Sequence, residues 1–259
     1  MTAQVALMNK SAVALATDSA VTINTSGGDK IYNTVNKLFT LSKYYPIGIM
    51  IYGSAQFMGV PWESVIKIYR KQLKEKSFSS LKEYSDDFIN FLKNSRELVN
   101  ARDEIEYFRQ CFGGYLSRIE KEIDKKVKEQ LKNKKRLSKK NLQEISNNII
   151  ERHFNEWQNE SKLEVKEVDA FIKQSKKLFS NEIKSIIESI FEKYPLSGSA
   201  KRKLEEFAIF LFNKNRFRNN SSGIVIAGFG EQEIFPTLVN FSIEGRIKNY
   251  LKYKLEREF

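Results

Sequence analysis

The spacing of apolar residues divides the chain into three textures. Residues 2–54 carry short runs of Val, Ala, Ile and Thr between turn residues. Val5 to Met8 and Ala12 to Thr17 predict two strands around a tight turn at Asn9-Lys10-Ser11, and Thr25-Ser26-Gly27-Gly28 predicts a loop. Lys37 to Leu41 and Ile47 to Tyr52 predict a second strand pair, joined around Tyr45-Pro46. These runs lack clean alternation, as expected of strands covered on both faces.

From residue 56 the period lengthens. Pro61 suits a first helical position, where its missing N–H costs nothing. Trp62, Val65, Ile66, Tyr69 and Leu73 then share one helical face. Ser80 and Glu83 predict a capping box for a second helix striped by Leu81, Tyr84, Phe88 and Phe91. Residues 94–220 read as charged helices. Ile105, Phe108, Phe112, Tyr115 and Ile119 form one stripe. Phe171, Ile172, Phe179, Ile183, Ile186, Ile187, Ile190 and Phe191 form another, and both predict helix–helix packing. Ser138 predicts a helix start. After Ser221-Ser222-Gly223 the strand texture returns in Ile224 to Ala227 and Thr237 to Ile243. Glu244-Gly245 reads as a turn, and Arg246 to Phe259 as a final strand.

Composition narrows the chemistry. The chain has one cysteine, Cys111, and one histidine, His153, among 259 residues. An internal disulfide is excluded, and a Cys/His metal site has no ligand set. Neither a metal nor a cofactor is expected. Any histidine triad would have to use His153, four residues before Trp157, where a helix-surface pair is the simpler reading. The net charge of +12 favours anionic partners. The most basic stretch is Lys132 to Lys140, with six basic residues and no acidic one. Together with Arg202, Arg216 and Arg218 it motivates a nucleic-acid-binding reading, against which a solvated helical face is favoured. No apolar run approaches the roughly 18–20 residues of a membrane span. Met1 to Lys10 lacks the pattern of a signal peptide. A cytoplasmic protein without membrane contact is the expectation.

With histidine nearly absent, the N-terminus offers another nucleophile. Thr2 follows Met1, and a small second residue favours removal of the initiator. That would leave a hydroxyl and an α-amine of pKa near 8 on one residue, a nucleophile and base together. Asp18-Ser19-Ala20-Val21-Thr22 follows the predicted hairpin. Asn33-Thr34-Val35-Asn36-Lys37-Leu38-Phe39 comes next, and then Gly53-Ser54-Ala55 after a strand. A nucleophile at Thr2, Asp18 sixteen residues later in a D-S-x-x-T setting, a T-V-x-K segment and a strand ending in Gly-small-Ala together resemble the proteasome β-subunit family of N-terminal nucleophile (Ntn) hydrolases.

The resemblance implies an α+β fold, an αββα sandwich of antiparallel sheets flanked by helices. It implies that the Thr2 hydroxyl attacks an amide carbonyl, that Lys37 lowers the pKa of the nucleophile, and that Asp18 orients Lys37. The Gly53 N–H becomes the oxyanion donor, Ser19 a neighbour of that motif and Thr22 a residue of the substrate groove. Lys30 is a rival for Lys37, with a solvated loop lysine as its simpler reading. The implied partners are a peptide or protein substrate, further copies of the chain, and an unfoldase or other protein. On this reading residues 1–93 hold the Ntn sheet and two helices, 94–222 a charged helical insertion, and 223–259 the returning hairpin. The family's later strands and helices find no counterpart before Phe259, so an incomplete sandwich is expected. A non-catalytic structural subunit and a binding module built on the basic insertion remain as alternatives.

Overall fold

A computed structural model describes residues 3–19, 21–25, 28–32, 36–133, 136–164 and 167–259. The protein is a mixed α+β chain with antiparallel sheets. It divides into two compact units, one made of residues 1–101 and 217–259, the other of residues 102–216. No described helix is long and apolar enough to cross a membrane.

The first unit begins with β1 (Gln4–Met8) and β2 (Val13–Thr17), an antiparallel hairpin pairing Gln4 with Thr17 through Met8 with Val13. Asn9 makes its turn, accepting the N–H groups of Ser11 and Ala12 on its side-chain oxygen at 2.8 and 2.9 Å. A second hairpin, β3 (Val21–Thr25) and β4 (Gly28–Tyr32), stands where only a loop at Thr25–Gly28 is expected from sequence. Next come β5 (Leu38–Thr40) and β6 (Ile47–Gly53), then a minimal hairpin, β7 (Gln56–Phe57) and β8 (Val60–Pro61). Helices α1 (Trp62–Leu73) and α2 (Leu81–Asn94) follow. Pro61 is the residue before α1, with an extended ψ of 136°, so the helix starts at Trp62. Ser80 caps α2 by accepting the Glu83 N–H, while Glu83 reaches back to the Ser79 N–H rather than to Ser80.

The second unit is helical: α3 (Ala101–Asn133), α4 (Lys139–Gln158), α5 (Val168–Leu178), α6 (Ser180–Ile190) and α7 (Gly198–Asn213). Ser138 caps α4 in a capping box with Asn141. The second apolar stripe is two helices broken at Phe179, whose ring stacks on Phe108 at 4.1 Å. Phe108, Phe112, Leu116, Phe154, Phe207 and Phe212 are buried in this unit. His153 is buried rather than on a helix surface, which corrects the sequence reading. Its Nδ1 lies 2.9 Å from the Tyr115 hydroxyl and its Nε2 lies 3.0 Å from Glu122. The Tyr115 hydroxyl also accepts the Trp157 N–H at 2.6 Å.

The chain returns to the first unit for β9 (Ser222–Gly228), β10 (Thr237–Ile247) and β11 (Tyr250–Glu258). Strands β11-β10-β9-β6-β5 form one antiparallel sheet. Side chains alternate between the two faces of a strand, and this sheet is covered on both. Ile47, Ile49, Ile51, Ile224, Ile226, Val239, Phe241 and Ile243 face α1 and α2, packing on Trp62, Ile66, Tyr69, Tyr84 and Phe88. Met50, Val225, Ala227 and Leu238 face the other way, toward Ala6, Val13 and Leu15 of the β1–β2 hairpin. Full burial of each large apolar side chain contributes about 1.5–3 kcal/mol. Three layers result: helices, sheet, hairpin.

Glu244-Gly245 is not a turn. Strand β10 runs through it with a register shift between Ile243 and Arg246, and the reversal comes at Lys248, which has a positive φ of 53°. A bulge of this kind inserts an extra residue and bends the strand. It places two charged side chains inside. Arg246 donates to the carbonyls of Leu92 and Val99 at 3.0 and 2.7 Å, satisfying an orphan carbonyl at the end of α2. Glu244 pairs with Lys252 of β11 at 3.2 Å, both side chains being almost inaccessible.

Candidate functional site

The hairpin end opposite the Asn9 turn brings Asp18 beside the chain start. The Asp18 N–H donates to the Ala3 carbonyl at 3.1 Å, which continues the β1–β2 ladder by one step. The Asp18 carboxylate also accepts a backbone hydrogen bond from Ala3, the residue that follows Thr2 in the chain. Gln4 ties this end to the five-stranded sheet, its side-chain amide donating to the Ile51 carbonyl at 3.0 Å.

Lys37 reaches the same place from the sheet. It immediately precedes β5, and its carbonyl accepts the Ile51 N–H at 2.8 Å. Its side chain is only 7% exposed, and Nζ donates to Asp18 Oδ1 at 2.8 Å. That hydrogen bond from Lys37, with the backbone bond from Ala3 and the lysine charge, holds the Asp18 carboxyl below the usual carboxylate range.

Gly53 ends β6. The N–H groups of a strand alternate between its two edges, so the Gly53 N–H is directed to the edge on which Ile51 bonds Lys37. The following amide, Ser54, donates the opposite way, to the Ser221 carbonyl at 3.0 Å. Gly53 has φ +74°, and a Cβ built there would lie 2.4 Å from that same carbonyl. Only glycine meets both demands without strain. Ser222 braces the turn: its hydroxyl accepts the Trp62 indole N–H at 2.8 Å and donates to the Ser54 carbonyl at 3.1 Å. Lys37 and Gly53 line one cleft of about 320 Å³, together with Asn36, Tyr52, Gln56 and Trp62.

The sequence candidates thus fall into groups. Asp18, Lys37 and Gly53 are brought to one end of the sheet. Ser19 follows Asp18 and is exposed. Thr22 lies in β3 opposite Ile31, and Lys30 in β4 opposite Ile23, with both side chains outside the described part of the structure. Thr2 lies outside the described residues. Trp62, Ser221 and Ser222 were not singled out from sequence as site residues. Trp62 reads as one member of an apolar stripe, and its hydroxyl partner is 160 positions away. Among the basic residues, Arg216 lies about 4 Å from Glu156 and Glu160 and stacks on Trp157, and Arg218 pairs with Glu244. Both make ion pairs within the protein.

Comparisons of the chain with protein-family models, with curated proteins and with solved structures find no match.

Proposed function

We propose that the protein is a threonine-type N-terminal nucleophile hydrolase that cleaves amide bonds in peptides. The observation that carries this reading is the Lys37–Asp18 pair, in which the lysine is buried, the carboxylate is half-exposed and Asp18 is hydrogen-bonded to the residue after Thr2. In an ordinary structural ion pair nothing requires a directed backbone N–H nearby, yet Lys37 shares a cleft with Gly53. The layer order of helices, sheet and hairpin is compatible with three layers of an αββα sandwich.

On this reading, loss of Met1 frees the Thr2 α-amine. The amine takes the hydroxyl proton as Oγ attacks the substrate carbonyl carbon. Lys37 stabilises the negative charge that grows on Oγ, and the Gly53 N–H donates to the carbonyl oxygen as it becomes an oxyanion, a contribution of about 3 kcal/mol for one such donor. The C–N bond then breaks, the leaving amine takes the proton from the α-amine, and Thr2 is left as an ester. Water, deprotonated by the same α-amine, hydrolyses the ester and regenerates the enzyme.

The test is hydrolysis of a panel of peptidyl amides carrying fluorogenic leaving groups. Thr2→Ser should retain turnover, and Thr2→Ala should fall to background with an unchanged melting temperature. Equal rates in wild type and Thr2→Ala would remove Thr2 from the chemistry. Turnover by neither, in a folded protein, would favour a non-catalytic subunit of the same fold.

A further inference from the structure

The buried Glu244–Lys252 pair has a place in the first unit that the proposed chemistry does not use. Glu244 sits on the β10 bulge. One of its carboxylate oxygens accepts the backbone N–H of Arg218, and the other accepts Lys252 Nζ at 3.2 Å and Arg218 Nε at 3.4 Å. Phe217 covers the ammonium, which lies 4.9 Å from its ring centroid. The Arg218 carbonyl in turn accepts the Ser221 N–H at 3.0 Å and closes a four-residue turn. The far end of that turn is the Ser221 carbonyl, which accepts the Ser54 N–H and occupies the space that a Cβ on Gly53 would need. A line of hydrogen bonds therefore runs from Glu244 through the 218–221 turn to the Gly53–Ser54 peptide bond.

We infer that Glu244 is a positioning residue for the oxyanion donor at Gly53. This rests on the hydrolase reading above for its catalytic meaning, but its geometric content stands without it. The carboxylate fixes the Arg218 amide and the turn fixes the Ser221 carbonyl. That carbonyl, by holding Ser54 N–H on the β9 side, leaves the Gly53 N–H aimed at the Lys37 edge. The role of Lys252 is to make a charged acceptor tolerable inside the sheet, because a buried carboxylate without a partner is strongly destabilising.

Two double variants separate the acceptor from the charge. Glu244→Gln with Lys252→Met removes both charges and keeps a side-chain oxygen for the Arg218 N–H. Glu244→Met with Lys252→Met removes both charges and the oxygen. Amide hydrogen exchange is read at Ser54 and, as a control in the sheet centre, at Ile226. The inference expects Ser54 exchange in the Gln/Met protein within about threefold of wild type. In the Met/Met protein it expects Ser54 exchange at least about tenfold faster, a loosening local to the turn, with Ile226 unchanged. Peptide hydrolysis should follow the same order, with kcat falling about tenfold in Met/Met and KM within about threefold, as expected when only transition-state stabilisation is lost. Unaltered Ser54 protection in Met/Met would overturn the inference. So would equal loss of protection at Ser54 and Ile226, which would make Glu244 a support of the whole sheet. Absence of any turnover in wild type, with the exchange pattern as expected, would count against the hydrolase reading and leave the positioning of Gly53 standing.

Discussion

Asp18, Lys37 and Gly53 lie within 36 residues of sequence, and each is held by a local rule. Asp18 continues a hairpin ladder, Lys37 precedes a strand, and Gly53 takes a positive φ that other residues rarely adopt. Their association was expected from sequence only through the resemblance to the proteasome β-subunit family, whose motifs their residue types and spacing match. Their bracing was not, because Ser221 and Ser222 return to Gly53 only after the whole helical unit. Gly53→Ala should cost about 1–3 kcal/mol or more in urea unfolding, since it adds a strained positive φ and a contact with the Ser221 carbonyl. Asp18 gives a pH prediction. Its carboxyl is held below the unfolded value of about 3.9, so its ionisation stabilises the fold above that pH and the contribution is lost as pH falls through the folded pKa. Urea unfolding of wild type and Asp18→Asn should therefore differ at pH 7, with wild type more stable, and converge toward pH 3. A gap that stays constant down to pH 3 would mean that Asp18 ionisation is not linked to folding.

At the scale of elements, α1 and α2 were readable because an apolar stripe at helical spacing has one physical solution, burial on a sheet. The Ser138 start of α4 was readable for the same kind of reason, a side chain matching an orphan N–H. Ser80→Ala should lower stability by about 1 kcal/mol, measured as a shift of the urea midpoint at constant slope. Two elements were misread where tertiary structure overrides local signals, and the strands on either side of the Thr25–Gly28 loop, β3 and β4, carry no pattern that announces them. The stripe ending at Phe191 looks continuous, yet the chain breaks at Phe179 so that the ring can stack on Phe108. Glu244-Gly245 has the residues of an exposed turn. Its burial depends on Lys252 of the next strand, and no local pattern announces a counter-charge supplied by strand pairing.

At the scale of the whole molecule, the sequence expectation placed a helical insertion at 94–222, and the structure contains a compact helical unit over residues 102–216. That unit has its own core and its own polar chain, running from buried Trp157 through Tyr115 and buried His153 to Glu122 at the surface. Phe207, fully buried there, gives a further prediction: Phe207→Ala should cost about 3–5 kcal/mol of stability, read as faster amide exchange within α4 and α7. Exchange unaffected in those helices would show that Phe207 does not carry the core. The central claim concerns the other unit and is chemical: one residue, Thr2, supplies both hydroxyl and α-amine. A peptide epoxyketone tests this directly, because its ring-closed adduct forms only where those two groups belong to one residue. Intact mass and peptide mapping after treatment should show Met1 absent and a single adduct on the N-terminal peptide, and no adduct in Thr2→Ala. Retention of Met1, or an adduct that persists in Thr2→Ala, would contradict the account.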